Sequence, residues 1–137
     1  MYEVYAYWNV AELEAMFNAI ASLMGSGDYR GLLQTIAVVG MLADKDIAGA
    51  LAVLAGKIDV WLLARLDGPR GAKAEILSAA VSGKGGATGL GGRVECFDSP
   101  EAAFRRAVGL SGENDRIVVF GSFYTVAAAL REIGLGA

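Results

Sequence analysis

A three-layer α/β sandwich around a mostly parallel sheet is what this 137-residue sequence predicts. Three observations carry that expectation. Short apolar runs alternate along the chain with segments of helical periodicity. The runs Ile36–Val39 and Ile117–Phe120 are apolar at every position, as strands covered on both faces are. Each run stops at a glycine, Gly40 or Gly121, beyond which a helical segment follows. Glycine at such a point lets a strand turn tightly into a helix.

The elements follow in order. Tyr2–Trp8 is rich in Tyr, Val and Trp and reads as a strand. Asn9 suits a helix N-cap, and Ala11–Met24 is helical, with Leu13, Phe17, Ile20 and Met24 on one stripe. Gly25–Arg30 is a loop. Thr35–Val39 is a buried strand, followed by a helix over Asp44–Ala55 in which Asp44 suits the cap. Val60–Ala64 is a strand, Asp67–Gly71 a turn and Ala74–Val81 a helix. Ser82–Gly92, SGKGGATGLGG, has the composition of a flexible loop. Val94–Phe97 is a short strand. Ser99 caps a helix with Pro100 at its first position, running to about Leu110. Asp115–Leu130 is a strand, a Gly-Ser turn and a helix. No repeat interrupts the pattern, so residues 1–137 read as one domain.

Composition narrows the chemistry. The hydrophobic fraction is 55% and the mean hydropathy is +0.45. No segment approaches the roughly 20 apolar residues of a membrane span. The opening MYEVYAYW lacks the basic region and cleavage site of a signal peptide. One cysteine, Cys96, allows no internal disulfide, and a cytoplasmic location is expected. Net charge is −3 with dispersed basic residues, which gives nucleic acid no electrostatic footprint. Histidine is absent, and with it Ser-His-Asp or Cys-His catalysis and His-based zinc sites.

Several segments are candidate sites. Gly40–Asp46 places Asp44, Lys45 and Asp46 at a helix start after a strand, able to hold a charged ligand; a capped surface helix accounts for the same spacing. In Leu66–Gly71, Arg70 sits in a stiff Gly-Pro-Arg-Gly turn, where a fixed guanidinium suits a carboxylate or phosphate. Ser122 has no histidine to activate it and reads as a hydrogen-bonding cap. Gly83-Lys84-Gly85-Gly86 is not a phosphate loop, because Lys84 precedes a glycine and the loop leads from helix to strand. Cys96 reads as a small buried hydrophobe. Tyr5, Tyr7 and Trp8 crowd the first strand, where an ordinary edge strand and an aromatic partner surface both fit.

Four blocks occur in order: IAVVGMLADKDIAGAL, IDVWLLARLDGPRGAKAEIL, VECFDSPEAAFRRA and DRIVVFGSFYTVAAAL. Together they resemble the C-terminal domain of bacterial bifunctional dihydrofolate synthase/folylpolyglutamate synthase, a Mur-ligase relative, over about Ile36–Leu130. The resemblance implies a Rossmann-like domain that follows a larger ATPase domain. It also implies an activity in which ATP and magnesium activate a folate carboxylate as an acyl phosphate, which the amine of glutamate then attacks. By position, Asp44, Lys45 and Asp46 match the family's block after the second strand. Arg70 matches its Gly-Pro-Arg-Gly turn, and Ser122 matches the serine near the glutamate site.

Two departures stand against that likeness. The family's Asp-x-Ala-His-Asn-Pro motif reads Tyr5-Ala6-Tyr7-Trp8-Asn9-Val10 here, and Tyr124 stands where the family's Gly-Ser-Phe-His turn has histidine. The expectation is therefore a domain unable to ligate alone, with no cofactor or metal of its own. It is expected to bind a small anion such as glutamate or a folate tail. The alternatives are a non-catalytic protein that forms a homo-oligomer through Tyr5, Tyr7 and Trp8, or a subunit that completes a ligase with a separate ATPase domain. Neither nucleic acid nor membrane is an expected partner.

Overall fold

The computed structural model describes residues 2–6, 15, 34–52, 54, 56, 58–82, 92–113 and 115–134. Five strands among them form one sheet: β1 (Tyr2–Ala6), β2 (Thr35–Gly40), β3 (Val60–Ala64), β4 (Arg93–Phe97) and β5 (Arg116–Gly121). Their order is β1-β5-β2-β3-β4, and every pairing is parallel. The helices are α1 (Ile47–Ala52), α2 (Ala74–Ser82), α3 (Pro100–Leu110) and α4 (Phe123–Ile133). The Ala11–Met24 segment lies outside the described residues except for Ala15, which is helical and exposed. Gly25–Arg30 and residues 83–91 also lie outside them, as do Tyr7 and Trp8.

The three central strands are buried at every position. Alternation of side chains then makes two cores. Ala37, Val39, Trp61, Leu63, Val118 and Phe120 face α1 and α2. Ile36, Val38, Leu62, Ile117 and Val119 face α3 and α4. This is the three-layer α/β sandwich the sequence predicts. Fully buried leucines such as Leu62 and Leu63 each contribute roughly 1.5–3 kcal/mol.

Most boundaries match the sequence pattern, and α3 is capped as expected: the Ser99 hydroxyl accepts the Ala102 N–H at 3.2 Å. Two expectations fail. Asp44 does not cap α1. Residues 43–45 form a turn closed by Lys45 N–H donating to the Leu42 carbonyl at 3.2 Å, so the helix starts only at Ile47. Asp46 is the cap, its Oδ1 accepting the Gly49 N–H at 3.0 Å. Cys96 is exposed rather than buried, because β4 is an edge strand whose side chains are at best half-covered.

The layering fixes where the chain opens. After β2 and β3 it crosses to the face of α1 and α2; after β4 and β5 it crosses to the other. Two neighbouring strand pairs, β5/β2 and β3/β4, therefore send their connections to opposite faces. Such divergence leaves a crevice at the C-terminal ends of the strands, which is where open α/β sheets take ligands.

Candidate functional site

The β5/β2 crevice is built from backbone. Gly40 and Gly121 are paired in register at the strand ends. Gly121 has φ +130°, and a Cβ there would collide with the Gly40 carbonyl. That carbonyl accepts the Ser122 N–H at 2.9 Å and the hydroxyl of buried Thr125 at 2.9 Å. Ser122 caps α4, its Oγ accepting the Thr125 N–H at 3.4 Å. Thr125 was not singled out from the sequence, although a Thr three residues after a Gly-Ser turn is the position from which a side chain reaches back to that turn.

The loop after β2 and the turn after β3 are stitched into one rim. Ala43 N–H donates to the Arg70 carbonyl at 2.7 Å, and Ala72 N–H to the Met41 carbonyl at 2.9 Å. Leu42 and Gly71 form an isolated antiparallel bridge. Close backbone approach explains Gly71, where a Cβ would strike the Leu66 carbonyl.

This rim brings Asp44, Lys45, Asp46 and Arg70 together, and Gly40 joins it to Ser122. The charges are not equally available. Arg70 Nη2 lies 2.8 Å from Asp44 Oδ2, both exposed, and that guanidinium hydrogen bond holds the Asp44 carboxyl below its ordinary range. Asp46 is engaged as the α1 cap. Lys45 is exposed and holds no ion pair with a described residue. The rim therefore presents one uncommitted cation beside one neutralised pair. Tyr5 pairs through its backbone with Phe120, so the end of β1 reaches the same edge; its side chain, Tyr7 and Trp8 lie outside what is described.

Two cavities flank this rim. One, about 270 Å³, opens between Leu66, Asp67, Pro100 and Tyr124, with the Glu101–Arg131 ion pair (3.4 Å) on its wall. Tyr124 is 69% exposed there. The other, about 440 Å³, lies in the β3/β4 crevice beside Arg65, Lys73 and Cys96. Sequence reasoning passed over Arg65 and Lys73 because no glycine marks that strand end. The usable signal was charge at the two junctions, directly after β3 and directly before α2. No group of three or more Cys, Asp or Glu able to hold a metal ion occurs among the described residues. No helix among them is long and apolar enough to cross a membrane.

Comparison with known proteins places the chain. The family model of the Mur ligase glutamate ligase domain matches residues 8–123, and the chain belongs to that family. Dihydrofolate synthase/folylpolyglutamate synthase of Escherichia coli is 41% identical over 100 residues, covering 73% of this chain and 21% of that protein. The crystal structure of the bifunctional Yersinia pestis enzyme, complexed with AMPPNP and a manganese ion, superposes with a TM-score of 0.76 at 33% identity. That match covers 95% of this chain and 28% of the other. Mycobacterium tuberculosis folylpolyglutamate synthase, complexed with ADP and AMPPCP, superposes at 0.70 with 27% identity, covering 96% of this chain and 29% of that one. The chain thus spans about a fifth of the length of the curated relatives it matches.

Proposed function

We propose that this member of the glutamate ligase domain family binds a small carboxylate, glutamate or the glutamate tail of a folate, at the β5/β2 crevice without catalysing ATP-dependent ligation by itself. The observation that supports this reading is the rim charge. Lys45 is free to meet an anion beside the Ser122 turn, while Asp44 keeps Arg70 in place through a paired guanidinium. An exposed cation of this kind selects a carboxylate by charge, and a guanidinium adds directional donors once Asp44 is displaced. One relative's structure carries manganese, AMPPNP and L-glutamate together. The described residues of this chain offer no acidic cluster that fits a metal.

Isothermal titration with L-glutamate tests the binding. Saturable binding that weakens in both Lys45→Ala and Arg70→Ala is expected, more strongly in Lys45→Ala because Lys45 has no ion pair with a described residue to break first. Equal affinity in wild type and both variants would sink the site. ATP turnover by the purified chain with glutamate and dihydropteroate would overturn the non-catalytic part. Turnover that appears only when an ATPase-domain chain is added would instead favour a two-chain ligase.

A second reading rests on β1 being an edge strand in the described sheet. Self-association through that edge, carrying Tyr5 and followed by Tyr7 and Trp8, would show as a dimer in sedimentation; a monomer at high concentration removes it.

A further inference from the structure

We propose that the β3/β4 crevice is a second ligand site, separate from the Lys45–Ser122 rim, and that it takes a free amino acid by its ammonium and carboxylate groups. Topology is the first ground. The β3 connection leaves toward α2 on one face and the β4 connection toward α3 on the other, so the crevice is a switch point like the β5/β2 one. A cavity of about 440 Å³ occupies it, ample for one amino acid and within the range of small-ligand sites, roughly 300–1,000 Å³.

Charge is the second ground. Arg70, Arg93, Arg105, Arg106 and Arg131, the other exposed arginines among the described residues, are all in ion pairs. Arg65 is not. Lys73, Glu75 and Asp98, which line the same cavity, also hold no ion pair with a described residue. Two cations and two acids thus face one opening without neutralising one another. A lining of net charge zero disfavours a dianion, since the acids would repel it, and equally disfavours a simple cation. It suits a molecule with one charge of each sign: Arg65 and Lys73 for the carboxylate, Glu75 and Asp98 for the ammonium. The ends of β3 and β4 are tied together here, because Arg65 N–H donates to the Phe97 carbonyl at 3.0 Å.

The chain carries its own reporter. Cys96, its single cysteine, is exposed and lines this cavity. Alkylation of the full chain by neutral iodoacetamide is followed in the presence of individual L-amino acids, with acetate and ethylamine as single-charge controls. The expected result is a several-fold slower alkylation with at least one amino acid and with neither control. Protection is lost in Arg65→Ala/Lys73→Ala and in Glu75→Gln/Asp98→Asn, and is kept in Lys45→Ala. All four side chains are exposed, so these variants fold, and circular dichroism checks that they do. The proposal is overturned if no amino acid protects, if acetate protects equally, or if protection survives either double variant. Loss of protection in Lys45→Ala would also overturn it, by moving the ligand to the other rim.

Discussion

The two crevices share a topology and differ in what fills them. At β5/β2 the strand ends are glycines, the loops are joined by backbone hydrogen bonds, and most charges are already engaged: Arg70 with Asp44, Asp46 with its helix. At β3/β4 the strand ends are ordinary residues, and four charged side chains line the cavity unpaired. The first crevice is therefore a matter of backbone geometry, sensitive to any added atom. The second is a matter of exposed side chains. Two crevices at the C-terminal ends of one sheet's strands answer to different physics.

Gly121→Ala is the strongest way to break the first. It places a Cβ against the Gly40 carbonyl and forces alanine into φ +130°, so a loss of about 3 kcal/mol or more is expected in urea denaturation. Thr125→Val removes a buried donor to the same carbonyl. That carbonyl keeps its Ser122 N–H, which limits the expected cost to about 1 kcal/mol in the same measurement. Ser122→Ala costs less, near the lower end of the roughly 0.5–2 kcal/mol of a lost cap, because its bond is long at 3.4 Å.

The acid limb of stability provides a finer test, at the N-terminal ends of the same strands. Asp115 accepts the Gly112 N–H at 2.7 Å and the Gln34 amide at 2.9 Å; these bonds, the first above all, hold its carboxyl below the usual value of 3.8. A group depressed on folding stabilises above its unfolded value and loses that contribution as pH falls through the lower folded one. Stability of the wild type is thus expected to decline as pH drops below about 4, and Asp115→Asn to flatten that decline in denaturation followed against pH. Asp44 behaves in the same sense through Arg70, with a weaker effect because both partners are exposed and screened. Arg65→Ala should change stability least, within about 0.5 kcal/mol, as an exposed side chain with no ion pair does; a larger loss would mean that the second crevice is structural.

Much of the first crevice was legible along the chain, because its signals are local. A glycine that stops an apolar run, a serine after it and a Gly-Pro-Arg-Gly turn can each be read within a few residues. The assignment of Asp44 as a cap failed for a non-local reason. The Leu42–Gly71 bridge holds residues 43–45 in a turn and hands Asp44 to an arginine 26 positions away. Cys96 was misjudged because a five-residue strand looks alike at the centre and at the edge of a sheet. Which it is depends on the order β1-β5-β2-β3-β4.

The sequence by itself determined the layers, since period and burial are written in the spacing of apolar residues and strands apolar on both faces must be covered on both. It also determined the punctuation at Gly40, Ser99 and Ser122. The tertiary structure alone decided which strands are neighbours. That order put Gly121 beside Gly40, joined Arg70 to Asp44, and gathered Arg65, Lys73, Glu75 and Asp98 around one opening. Neighbourhood across a sheet is set by the global packing of all its covering helices, and no local window of the chain contains it.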